Sequence, residues 1–307
     1  SPNTLNEFRA GVARQWLLFN HPSFDQDWPS KLGFPSIFPQ DCFPGVSISG
    51  FLALGAASGF SAGWRPQHVV QLTDSLTMIR GAHTIKFGTD QRWIRGNWGN
   101  RLNPSGLFSF TSSLTSNPQV SAGTGVGLAT YLLGAVSGGS QSVRPLWSFH
   151  SWSNGSYVQD DWKVTRRLTL NLGLRYDLPS GVVERWNRSS SFDPFMINPE
   201  TMMPGALLYA GVTKDRHFAA ANKHNFGPRF GFAWDPFGDG KTAMRGGYAV
   251  VFSPIEPGDS DHGNPNSLGF SIDTPFTVVG GGPYAAFQFS KGPSYPLNQP
   301  LGAAGGP

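Results

Sequence analysis

Hydrophobic and polar residues alternate without interruption over LTLNLGLRYD (168–177). Leu168, Leu170, Leu172, Leu174 and Tyr176 point one way, and Thr169, Asn171, Gly173, Arg175 and Asp177 the other. A period of two predicts a β-strand with one apolar and one polar face. Ten such residues at about 3.3 Å each, tilted by about 45°, rise roughly 23 Å, close to the ~25 Å apolar band of an outer-membrane barrel. Alternation alone suits a half-buried strand of a soluble sheet equally well.

The same period predicts strands over 4–16, 67–79, 83–93, 147–162, 226–234 and 242–252. Phe226, Pro228, Phe230, Phe232 and Trp234 share one face of the 226–234 strand, with Gly227, Arg229, Gly231 and Ala233 on the other. Pro228 lacks an N–H, so that end of the strand is expected to fray or lie at an edge. Stretches 267–279 and 285–290 have room for further strand. GLATYLLG (127–134) predicts one or two helical turns packed within a loop. The connections alternate. Those at 80–83, 163–167 and 235–241 are short, and those at 20–65, 98–145 and 179–225 are long and irregular. Long structureless loops are unusual in compact soluble domains. Outer-membrane barrels place short turns on the periplasmic side and long loops outside.

Composition adds to this picture. Only 14% of the 307 residues are charged, against a usual ~25%, while 13% are aromatic. A barrel with its outside in lipid would have this balance, and so would a dense soluble β-sandwich. No apolar run is long enough for a membrane helix, which leaves a barrel open. The net charge of +4 is scattered, with no basic run and no zinc-finger, RNP or OB spacing, so nucleic acid is not an expected partner.

Four stretches resemble the barrel domain of TonB-dependent outer-membrane receptors, most closely the Oar-like subgroup. They are YVQDDWKVTRRLTLNLGLRYD (157–177), RGAHTIKFGTDQR (80–92), FGPRFGFAWDPFGDGKTAMRGGYAVVF (226–252) and NEFRAGVAR (6–14). Together they cover about a quarter of the chain, in the order and at the spacing of the family. The resemblance implies an all-β fold, part of a large antiparallel transmembrane barrel. Residues 1–307 would be a partial barrel domain, with the family's plug and TonB box N-terminal to Ser1. It also implies uptake of a bulky nutrient across the outer membrane of a Gram-negative bacterium. The partners would be outer-membrane lipid, the parent's own plug and the TonB complex. Two alternatives stay open: a non-transporting outer-membrane protein of adhesion or surface assembly, and a soluble all-β carbohydrate-binding protein.

On the barrel reading, Lys86, Arg92, Arg175, Arg229 and Arg245 face the lumen. They would either form a basic wall along a substrate path or be solvated and paired between strands, with Asp90 and Asp177 as partners. Leu168, Leu170, Leu172, Leu174, Phe230 and Phe232 face lipid. Trp93 and Tyr176, ending their strands at the long-loop side, and Trp162 and Trp234, at the turn side, form aromatic girdles. Asp160 and Asp161 point to opposite faces, so one of them faces lipid and both should lie near the periplasmic rim. Seven strands fall short of the roughly twenty-two of a large receptor barrel. An open curved sheet is therefore expected, with 4–16 at one edge and the last strand at the other.

No catalytic or cofactor chemistry emerges, and neither an enzyme nor a cofactor is expected. GDGKT (238–242) lacks the first glycine of a phosphate loop and joins two strands. The seven histidines show no metal-ligand spacing. Asp259, Asp261 and His262 read as a solvated polar loop, and Cys42 as an inert loop cysteine.

Overall fold

The computed structural model describes residues 3–56, 62–120, 123–217, 221–253, 268–278 and 284–306. The loop carrying Asp259, Asp261 and His262 lies outside them. Seven strands form the main sheet: β1 (Thr4–Asn20), β2 (Ala62–Arg80), β3 (His83–Arg101), β4 (Trp147–Lys163), β5 (Leu168–Pro179), β6 (Phe226–Trp234) and β7 (Met244–Ala249). Each pairs antiparallel with its neighbour in sequence, so β1 and β7 are the edges and the sheet is open. The two-residue strand Val183–Glu184 pairs with the loop end of β4.

This topology puts the three short turns at one end. Gly81, at φ +58°, makes the tight β2–β3 turn that a side chain would strain. The Lys163 N–H donates to Ala82 O at 2.9 Å and the Asp235 N–H to Arg167 O at 2.8 Å, which ties each turn to the next. Within the third turn, the Asp235 carboxylate accepts the N–H groups of Gly238 at 2.7 Å and Gly240 at 3.0 Å. The GDGKT stretch is thus a hairpin turn. The fraying expected at Pro228 is confined to one side: Val250 N–H donates to Pro228 O at 3.0 Å and, with no N–H to return the bond, the β6–β7 ladder stops at Ala249, while Phe226–Pro228 stays paired with Leu174–Tyr176 of β5.

The strands are longer than their alternation suggests. β2 and β3 each have 19 residues, about 63 Å of strand and about 44 Å of height at a 45° tilt. That exceeds the ~25 Å apolar band by some 20 Å, all of it toward the long connections.

Those connections are not irregular, and this corrects the sequence reading. Gly45–Ile48, Leu107–Phe110, Gly138–Val143 and Ile272–Phe276 form a second, four-stranded sheet. Ile272–Phe276, within the stretch 267–279, therefore adds a strand to this cap and not to the main sheet. Phe287–Gln288 likewise pairs with Ala135–Val136. The cap core joins Phe34, Phe38, Val46 and Ile48 to Phe108, Phe110 and Val136, and both to Phe276 and Phe287. Phe108 is fully buried, with ring centroids of Phe34, Phe38, Phe276 and Phe289 at 5.4, 5.2, 5.4 and 4.9 Å. Sequence analysis missed this because the core is assembled from three separate segments, none of them amphipathic over a long run. The helix Gly127–Leu132 packs in the cap, and Cys42 is buried there with its N–H donating to Ser105 Oγ at 2.9 Å. The third long connection forms a hairpin, Ser190–Ile197 with Pro204–Tyr209.

Candidate functional site

Register sorts the main sheet into two faces. One face carries Leu168, Leu170, Leu172 and Leu174 of β5, opposite Trp234, Phe232, Phe230 and Pro228 of β6. It continues through Val158 and Trp162 to Phe87, Leu76 and, at the edge, Phe8 and Val12. These apolar side chains stay open: Leu172 is 40% exposed, Phe230 47% and Val12 77%. Nothing in the described chain covers this face.

This face carries two carboxylates, Asp74 opposite Phe8 and Thr89 near the β1 edge, and Asp160 near the turns. Asp160 sits opposite Ile85 and Leu172, and its Oδ2 bonds His83 Nδ1 at 2.6 Å. The His83 ring stacks on Trp162 with centroids 5.3 Å apart. Asp161 points to the other face and accepts Asn171 Nδ2 at 2.6 Å.

The opposite face is polar. Arg92, Arg175 and Arg229 converge there on a cleft of about 280 Å³, with Asp90, Asp177, Ser153 and Asn225 in its walls. Two of the arginines are paired. Arg92 Nη2 donates to Asp90 Oδ2 at 2.7 Å, and Arg175 Nε to Asp177 Oδ1 at 2.9 Å. Both pairs run within one strand, two residues apart, where sequence reasoning expected pairing between strands. The cross-strand bond to Asp90 comes instead from Gln71 Nε2, at 2.8 Å. Arg229 has no carboxylate partner among the described residues. A Cβ on Gly155 would lie 2.0 Å from Arg175 Nη2 and 2.8 Å from Asp177 Oδ1. Only glycine lets that pair lie flat across β4.

Lys86 and Arg245 share this face but not the cleft. Lys86 sits opposite Thr77 and Gln159, and Arg245 opposite Ala233. Sequence reasoning missed Ser153 and Asn225; Asn225 lies in a long connection, where alternation gives no signal.

Toward the cap the polar face becomes apolar. Trp98, Trp147, Phe149 and Val182 bury one another there. The Arg65 guanidinium lies 3.4 Å from the Trp98 ring centroid. Beside them Glu184 is fully buried, and its carboxylate accepts the N–H groups of Ser148, Trp186 and Arg188 at 3.1, 2.7 and 2.7 Å. A buried charge requires such partners.

Trp93 does not end its strand, because β3 runs on to Arg101. Longer pairing of β3 with β2 and β4 carries the strand past the point where its alternation fades. Trp93 faces Trp152, which sequence reasoning did not single out. Trp152 and Trp162 are ten residues apart on β4, about 23 Å of height at a 45° tilt. Tyr176 does not end its strand either, since β5 runs on to Pro179; its ring lies 4.7 Å from Phe226, the first residue of β6, and its hydroxyl donates to Lys223 O at 2.9 Å. Trp234 closes β6 at the turn end.

No described helix is long and apolar enough to cross a membrane, and no described group of three His, Cys, Asp or Glu residues has metal-site geometry. No curated protein and no solved structure matches the chain. A family model described as outer membrane beta barrel domain matches residues 1–306. With its open antiparallel sheet, short turns at one end and apolar face, the chain belongs to the outer membrane β-barrel domain family and resides in the outer membrane of a Gram-negative bacterium.

Proposed function

We propose that this chain is barrel wall of a TonB-dependent, Oar-like receptor that takes up a bulky nutrient. Its apolar face meets lipid, its polar face lines the lumen, and its short turns lie in the periplasm. The cleft of Arg92, Arg175 and Arg229 carries the reading. A wall facing only water needs no converging guanidinium groups, whereas a path for polar solutes uses them to hold anionic or hydroxyl-rich cargo. Arg92 and Arg175 are oriented by their own carboxylates, and Arg229 is left to the lumen. The chain performs no chemistry on its cargo and holds no cofactor. Energy would come through a plug and TonB, for which the four stretches resembling the receptor family are the support.

Uptake tests this. Cells carrying the gene are compared with cells lacking it, across labelled oligosaccharides, peptides and metal chelates, with and without collapse of the proton gradient. Uptake that needs both gene and gradient is expected. Gene-dependent uptake indifferent to the gradient would make the barrel a passive channel. No difference on any solute would favour adhesion or surface assembly. The folded cap favours that second reading, because its hairpin exposes Phe192, Phe195, Met202 and Met203.

A further inference from the structure

The turn end holds charges that the transport reading does not use. Arg80, Arg166, Arg167 and Lys241 are all exposed there. The neighbouring carboxylates are engaged: Asp160 with His83, Asp161 with Asn171, Asp235 with the Gly238 and Gly240 amides and with the nearby charge of Arg167, and Asp239 with the Lys241 amide, which leaves Arg80, Arg166 and Lys241 to the rim. Among the described residues, no ion pair joins any of the four cations to an acid.

Their position selects the partner. Arg80 lies on the apolar face, in one cross-strand row with His83, Trp162, Leu170 and Phe232. Lys163 and Arg245 lie on the polar face, opposite Thr169 and Ala233, and take no part. Arg166 and Arg167 extend from the β4–β5 turn and Lys241 from the β6–β7 turn, beside Trp234 (43% exposed) and Phe237 (69% exposed). Aromatic rings next to unpaired cations at the edge of an apolar face match the depth of lipid phosphate. Long basic side chains reach the headgroups while the rings sit in the glycerol layer.

We propose that this rim binds the phosphates of anionic glycerophospholipids in the periplasmic leaflet. It would anchor the barrel at a fixed depth and gather such lipids around the turns. The proposal rests on the membrane orientation given above. Unlike a soluble phosphate site, the rim has no enclosing pocket, so its affinity depends on phosphates presented side by side in a bilayer.

The experiment uses the full chain in bilayers of phosphatidylcholine carrying a fixed fraction of brominated lipid, and reads tryptophan quenching. Brominated phosphatidylglycerol is expected to quench more than brominated phosphatidylcholine, and salt should weaken the preference. Each surface cation contributes about fivefold in affinity for an anionic bilayer. The triple variant Arg80→Gln, Arg166→Gln, Lys241→Gln should therefore lose the preference while keeping its quenching by brominated phosphatidylcholine, which also shows that it still folds. If the triple variant does not insert, Arg166→Gln alone should still shift the preference by about fivefold. Equal quenching of the wild type by both lipids overturns the proposal and leaves the transport reading standing. Abolition of the preference by inorganic phosphate at an ionic strength where sodium chloride leaves it intact also overturns it, in favour of a free-anion site. A preference for lipopolysaccharide over phosphatidylglycerol places the turns outside the cell and overturns the orientation with it. Quenching by neither lipid overturns both.

Discussion

The spanning part of the sheet and the loop cap are built from the same residues and use them in opposite ways. In the cap, Phe34, Phe38, Phe108, Phe110 and Phe276 turn inward and bury one another. On the sheet, Phe230, Leu172, Leu174 and Val158 turn outward and remain open. The cap obeys the hydrophobic effect in water, so its apolar groups need one another. On the proposed reading the sheet's solvent is hydrocarbon, so its apolar groups need no protein partner, and only backbone pairing is obligatory. An exposed phenylalanine therefore carries different meanings at the two ends of one molecule.

Phe108→Ala tests the cap most directly. Removing the central ring should cost about 3–5 kcal/mol. Proteolysis should then cut the long connections first, while strand content by circular dichroism in detergent stays nearly unchanged. Loss of the main sheet as well would mean that cap and wall fold as one unit.

Leu172→Arg probes the other region. A charge at mid-depth on a lipid face costs roughly 2–4 kcal/mol, so bilayer insertion should fall sharply, measured by urea titration in phosphatidylcholine vesicles. Arg175→Ser, one face away, should insert almost as wild type. Equal losses from both substitutions would erase the distinction between the faces.

At the junction, Glu184→Ala leaves three amide donors without their acceptor, for about 1–3 kcal/mol. Hydrogen exchange should quicken at Ser148, Trp186 and Arg188 and stay slow in the turns.

A smaller effect is expected of Gly155→Ala. The new methyl displaces the flexible end of Arg175, at about 1 kcal/mol, and should separate that guanidinium from Asp177. If the cleft lies on the transport path, uptake should change more than stability does.

The least effect belongs to the third turn. Partial desolvation pushes the Asp235 carboxyl up, but the amides of Gly238, Gly240 and Phe237 and the nearby Arg167 outweigh it and hold the group below the ordinary 3.8. A lowered folded-state pKa gives stability that is present above the unfolded value and lost as pH falls through the folded one. Amide protection at Gly238 and Gly240 should therefore drop at acid pH in the wild type, and should be weaker and pH-independent in Asp235→Asn.

Alternation by itself determined the seven strands, their antiparallel order, the common end of the three turns and the faces of residues 168–177. Each of these follows from the period of two and from connection length, which are local properties of the chain. Arg92, Arg175 and Arg229 could be assigned to one face on the same grounds. Only the tertiary structure decided that they meet in one cleft, because register across β3, β4, β5 and β6 sets which rows align. It also decided that Arg92 and Arg175 pair along their own strands, since Gly155 leaves room for Arg175 and Asp177 to lie side by side. The cap was illegible for a related reason. Its strands have four to six residues, too few for periodicity to register, and its pairs, Gly45–Ile48 with Leu107–Phe110 and Gly138–Val143 with Ile272–Phe276, join segments far apart in sequence. Short-range pattern reveals elements that repeat along the chain, whereas a core gathered from distant single residues exists only once the chain has folded.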